Sequence, residues 1–119
     1  MRIAAQLALV VTLAAAPAVA DPVSIPAPPN PPKPAPEVRY VGGDGSSCQK
    51  AVEITGASGE IQGVRAERWW IYSRYPRATI TRQELSTVKD RDYETITFSP
   101  EPNKSMTVCF DITSFFGKP

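Results

Sequence analysis

The chain has 119 residues, with 13 Lys+Arg against 12 Asp+Glu, no His, two Cys and 13 Pro. Arg2 falls in an apolar leader. The remaining 12 basic and 12 acidic side chains leave no net field to hold a polyanion, so a nucleic-acid partner is excluded. So short a chain also excludes several domains, a large enzyme cleft and a doubly wound dinucleotide fold.

Residues 1–20 read as a signal peptide. Arg2 is the positive start, Ile3 to Ala16 is an apolar core broken by Gln6 and Thr12, and Ala18-Val19-Ala20 supplies the small residues of a cleavage site. The run is shorter than the roughly 20 residues a spanning helix needs. Cleavage after Ala20 is expected, with no stable membrane insertion afterwards. The next residue is Asp21 rather than Cys, so no lipid-anchored terminus forms. The expected location is the periplasm or outside the cell. In such an oxidising compartment Cys48 and Cys109 are expected to join. Closing a loop of about 60 residues removes about 4 kcal/mol of unfolded-state freedom. With no His and no further Cys, neither a zinc site nor any other metal or cofactor is expected.

Residues 21–39 read as a disordered, proline-rich spacer. Asp21 to Pro36 holds eight of the 13 prolines. Proline fixes φ and deletes a donor, which forbids helix and central strand and favours polyproline II at about 3.1 Å per residue.

Residues 40–119 read as one small α+β domain. Gly42-Gly43-Asp44-Gly45-Ser46-Ser47 is turn chemistry leading into Cys48, and Lys50 to Thr55 reads as a strand with Val52 and Ile54 on one face. Ser58 is the expected N-cap of a helix from Glu60 to Tyr75, stopped by Pro76. At about 100° per residue, Ile61, Val64, Ile71, Tyr72 and Tyr75 share one face, predicted here as the core face. Arg68 lands within that face and Trp70 opposite it, so Trp70 either meets a second structural layer or is exposed.

Three strands follow. In Thr79 to Val88 the apolar positions Ile80, Leu85 and Val88 change phase, which predicts a bulge. Lys89 to Asp92 is a polar turn, and Tyr93 to Ser99 is the next strand. Met106 to Ile112 alternates so that Met106, Val108, Phe110 and Ile112 point one way and Cys109 the other. The disulfide is therefore expected to pin the turn before the first strand onto the back or edge of the last. The predicted fold is one helix packed on a three- to four-stranded antiparallel sheet, in the order strand-helix-strand-strand-strand, with one disulfide. Cystatin-like inhibitors share that order of elements, but Gln62-Gly63-Val64 departs from their Gln-x-Val-x-Gly loop.

Gly63-Val64-Arg65-Ala66-Glu67, Trp70, Tyr75-Pro76, Tyr93-Glu94-Thr95-Ile96 and the ending Cys109-Phe-Asp-Ile-Thr-Ser-Phe-Phe-Gly-Lys118 resemble a set of small uncharacterised exported proteobacterial proteins. These end in a similar Phe-Asp-Ile-Ser-Ser-Phe-Phe-Gly-Lys. The resemblance spans about residues 43–118. It implies bacterial export and a single domain, carries no activity, and suggests a structural role for Trp70.

Without His, and with both thiols oxidised, no Ser/His/Asp or Cys/His arrangement can form. Asp90, Asp92 and Glu94 cluster at one turn, where a solvated hairpin tip is the expected reading. The protein is therefore read as no enzyme. The candidate binding residues are Arg65, Arg68, Trp69, Tyr72 and Arg82, an aromatic and cationic patch whose favoured reading is core and rim, together with Phe115 and Phe116 in the tail, which either plug a gap beneath the sheet, the favoured reading, or dock into another protein. The favoured reading is a non-catalytic module that binds another envelope protein. The alternative is binding of anionic glycan or lipid headgroups through the Arg/Trp patch.

Overall fold

The alternating residues of the C-terminal half dictate the sheet, and the order of the elements dictates its polarity. The computed structural model describes residues 21–119, and the predicted signal peptide lies outside them. The strands are β1 (Asp21–Pro26), β2 (Arg39–Gly42), β3 (Val52–Thr55), β4 (Thr79–Val88), β5 (Arg91–Ser99) and β6 (Met106–Asp111), with one helix, α1 (Glu60–Arg74), between β3 and β4. They form one six-stranded sheet in the order β1-β4-β5-β6-β3-β2.

The expected antiparallel meander is present as β4-β5-β6. The hairpin joining β4 to β5 turns at Lys89 and Asp90, both at positive φ, as a two-residue turn between right-twisted strands requires. The predicted bulge lies between Ile80 and Arg82. It resets the phase, so Ile80 and Gln83 both face the helix side, opposite Phe98 and Ile96.

The expectation of three to four antiparallel strands is corrected to a mixed sheet of six. Two causes account for this. The path runs out along β3, back along α1, then out, back and out along β4, β5 and β6. When β6 settles beside β3 the two must therefore be parallel, with Val52 opposite Phe110 and Glu53 opposite Asp111. The other cause is the pair of added edge strands. β2 pairs with β3, its Tyr40 opposite Ile54, and β1 pairs with β4, its Ile25 opposite Ile80. β1 shows that proline does not bar an edge strand, where one side of the backbone needs no partner. Its half-buried Val23 and Ile25 pack on the core, and the register is irregular between Pro22 and Ile25.

The segment expected to be a detached spacer therefore crosses the molecule. β1 and β2 occupy opposite edges and run in the same direction, so residues 27–38 must span both the width and the length of the sheet. Five strand spacings make about 24 Å. Twelve residues of polyproline II reach about 37 Å, enough for the diagonal. The path follows the outside of α1: the Lys33 ammonium sits 5.9 Å from the centre of the Trp69 ring, and Ala27 and Ala35 pack against the core. Residues 27–38 form a strap, with α1 lying between strap and sheet.

Helix α1 starts where predicted and ends one residue earlier. Its N-cap is Gly59 rather than Ser58, and the Glu60 amide donates to the Lys118 carbonyl of the tail. The core face differs from the predicted one. Ile61 is 80% exposed and Val64 40%, whereas Gly63, Ala66, Glu67 and Ile71 are buried and Trp70 meets Phe110 edge-on at 5.5 Å. Gly63 lets the Phe115 ring of the tail come up against the helix and Ala66 lets the helix sit close over the core, so α1 is rotated toward these small residues. Trp70 thus packs on the sheet itself. Tyr75 and Tyr72 remain in packing contact: Tyr75 lies 5.1 Å from the Phe98 ring, and the Tyr72 hydroxyl donates to the Ile25 carbonyl of β1 at 3.2 Å. On the other flank the Tyr40 hydroxyl donates to the Ala66 carbonyl at 2.7 Å, and burial pushes that phenol up to about 12.

The tail plugs the gap below the first turns of α1. Phe115 is buried, and its ring lies against the α-carbon of Gly63. The disulfide joins Cys48 and Cys109 with their α-carbons 5.1 Å apart. It sits on the face away from α1, where Cys48 neighbours Thr95, and the Cys109 amide donates to the Gly45 carbonyl at 2.8 Å. The turn before β3 is thus fixed to the back and edge of β6, as predicted. On the same face Asp111 receives Arg91 at 2.6 Å and the Thr113 amide and hydroxyl. Burial pushes its carboxyl upward, but these donors outweigh it and hold the group below its ordinary range.

Candidate binding groove and the carboxyl pair beneath it

The large apolar residues that α1 turns away from the sheet do not face open water alone. Ile61, Val64 and Tyr72 form one wall of a groove, with Ile25 and Pro26 of β1 and Pro28 and Pro32 of the strap opposite. Arg65 and Arg68 complete the lining, and the volume is about 430 Å³. The lining contains no carboxylate, and among the described residues neither arginine belongs to an ion pair. The Arg68 Nε is buried without a hydrogen-bond partner.

The groove gathers three of the seven residues expected to bind: Arg65, Arg68 and Tyr72. Trp69 sits on the same helix under Lys33, half-buried. Arg82 is not with them. It is paired opposite Thr97, on the sheet face away from α1, because the bulge after Ile80 turns it outward. Phe115 is core, and Phe116 remains 39% exposed at the tail.

Beneath α1 lies a feature the sequence reading missed. Glu67 is 1% exposed, and no donor satisfies either of its carboxylate oxygens. The Glu94 carboxyl, in phase with Ile96 and Phe98 on β5, lies close enough for its charge to act on Glu67 and accepts from Gln83 Nε2 at 3.2 Å. Burial pushes Glu67 well above the ordinary carboxylate range, the Glu94 charge adds to this, and Arg68 opposes it. Burial raises Glu94 as well, against the neighbouring Glu67 carboxyl and Arg68, with Glu60 adding to the rise. The parity of Glu94 with Ile96 and Phe98 was the signal available in the sequence. Of the three carboxylates expected together at a solvated hairpin tip, Asp90 and Asp92 lie there, with Asp92 accepting from the Thr87 hydroxyl at 2.8 Å, whereas Glu94 turns inward with Ile96 and Phe98 and is corrected to a partly buried position beneath α1.

A raised acid binds its proton more tightly folded than unfolded. Its stabilising contribution is therefore complete below the ordinary carboxylate value and is lost as pH rises through the elevated one. Glu67→Gln is expected to remove that loss. The variant should be more stable than the parent at pH 8, with little difference at pH 4. Urea unfolding at the two pH values measures this, and an equal effect at both would refute the raised carboxyl.

Comparison of the chain with protein-family models, with curated proteins and with solved structures gives no match. Among the described residues, no three His, Cys, Asp or Glu side chains are grouped to hold a metal ion, and no helix is long and apolar enough to cross a membrane.

Proposed function

We propose that the protein is a non-catalytic exported module, periplasmic or secreted, that works by binding another envelope protein through the groove between α1 and the strap. The observation that carries this reading is the groove's lining, apolar walls with two arginines that have no ion-pair partner among the described residues. Such a surface gains from covering its hydrocarbon and from meeting negative charge. The disulfide and the resemblance to small exported proteobacterial proteins support the assigned compartment. The non-catalytic reading is supported by the placement of the raised carboxyls, since Glu67 is sealed beneath α1 away from any substrate. A second reading, an anionic lipid headgroup or glycan as the partner, is favoured by the same two arginines.

A photo-crosslinking residue at exposed Ile61, compared with one at exposed Glu84 across the molecule, tests the location. The expected result is one envelope partner captured from Ile61, none from Glu84, and loss of capture in Arg65→Glu/Arg68→Glu. Equal capture from both positions would overturn the assignment of the groove.

A further inference from the structure

The walls of the groove specify what fills it. Pro26, Pro28 and Pro32 have no amide hydrogen to offer. The facing wall is the side-chain surface of α1, whose amides from Gly63 onward are used within the helix, leaving Ile61 in the first turn as the exception among the lining residues of α1. A peptide laid between them would find few main-chain donors for its carbonyls, at about 1–3 kcal/mol for each one left unsatisfied. A hydrocarbon chain needs no donor and gains about 0.8 kcal/mol per buried CH₂.

The polar groups on the lining are equally selective. The Tyr72 hydroxyl is already given to the Ile25 carbonyl. What remains are the guanidinium groups of Arg65 and Arg68, three residues apart and hence neighbours on the helix surface. No acidic side chain lines the groove, and the Arg68 Nε lacks a hydrogen-bond partner, although Arg68 also lies within electrostatic reach of Glu67 and Glu94 beneath α1. Arg65 has no acidic side chain in the lining and belongs to no ion pair among the described residues. Planar forks of this kind match a carboxylate bidentately. The volume of about 430 Å³ falls within the usual range of small-molecule sites.

Resting on the reading of the groove as the binding site, but taking the second reading of its partner, an anionic lipid, over a protein segment, we propose that its occupant is a long-chain carboxylate. The aliphatic chain lies between Ile61, Val64 and the prolines of the strap, and its head pairs with Arg65 and Arg68. The occupant thus brings both properties the lining calls for: a body that asks for no hydrogen bonds and one negative charge at a fixed end.

Calorimetric titration of the purified protein with palmitate, below the concentration at which it forms micelles, tests the proposal. Hexadecyltrimethylammonium, with the same chain and opposite charge, and acetate, the head alone, serve as comparisons. The expected result is one palmitate per protein. Binding should be at least about tenfold weaker for the cationic chain, the equivalent of about 1.4 kcal/mol, and undetectable for acetate. Arg65→Gln/Arg68→Gln should lose about tenfold for palmitate while leaving the cationic chain unaffected, and Ile61→Ser, at an exposed position, should weaken both. Circular dichroism confirms that the variants fold.

Equal affinity for the two chains, or several chains per protein, would mean nonspecific adsorption and would overturn the proposal. If palmitate fails to bind while crosslinking from Ile61 still captures a protein in an Arg65- and Arg68-dependent way, the occupant is an acidic protein segment. The groove then stands as the site and the proposal about its occupant falls. If both fail, the groove is not the site.

Discussion

Replacing Cys48 and Cys109 together by alanine is expected to lower the stability of the folded chain by about 4 kcal/mol, the chain entropy released when a closed loop of this length opens. The whole stability of a domain this size is about 5–15 kcal/mol, so the loss takes a large share. Geometry adds a local reason. β3 pairs with β6 only at Phe110 and Asp111, and the adjoining part of that edge, at Val108 and Cys109, is covered by the turn containing Gly45 and Cys48. Once the bond is cut, the turn is held there by the Cys109–Gly45 hydrogen bond and the Cys48–Thr95 contact is lost with the sulfur. Guanidinium unfolding of the oxidised parent against the double alanine variant measures the difference. Coincident midpoints would show that the bond contributes nothing to stability.

The second large effect belongs to Phe115 and Gly63. Phe115→Ala is expected to cost about 3–5 kcal/mol, as for other buried aromatic truncations. Gly63→Ala is expected to cost about 1–3 kcal/mol, even though alanine is the better helix former. A β-carbon at position 63 would fall 2.2 Å from the Phe115 ring, and that ring has the helix above it and the core around it. The two effects should not add. In the Phe115→Ala background the clash is gone, so Gly63→Ala should become stabilising by about 0.8–1 kcal/mol through helix propensity alone. A thermal or denaturant double-mutant cycle reads the sign. An alanine at 63 that stabilises the protein with Phe115 intact would refute the close packing of tail and helix.

The parts of the fold legible in the sequence were those in which one local pattern meets one environment. The alternation from Met106 to Ile112 placed Cys109 on the back of β6, and the phase change between Ile80 and Leu85 located the bulge. Ser-Gly before Glu60 and Pro76 after Tyr75 bounded the helix to within a residue.

What was not legible depended on two environments at once. Helix α1 carries a large-residue stripe for the groove and a small-residue face for the core and the Phe115 ring of the tail. Counting bulk alone selects Ile61 and Val64, because Gly63 and Ala66 are chosen for closeness rather than for buried area. Prolines in β1 likewise argue against a strand unless the strand is known to lie at an edge, and that is a property of the sheet, not of the segment. Of the candidate site, Arg65, Arg68 and Tyr72 could be grouped from helical spacing. Arg82 could not be separated from them without knowing where the bulge turns the strand. Glu67 and Glu94 lie 27 positions apart, and charge at each taken alone reads as surface.

The diagonal crossing of residues 27–38 sets a timetable for assembly. Asp21–Pro26 lies near the start of the folded part of the chain, yet the strand that receives it begins at Thr79, more than fifty residues later. Until that strand is in place the segment must wait without a mate, open to pairing with other unfolded copies. Frequent proline suits a segment in that position. It withholds the amide hydrogens that misdirected pairing would recruit, and it keeps the waiting stretch extended until the helix is seated and can be strapped down.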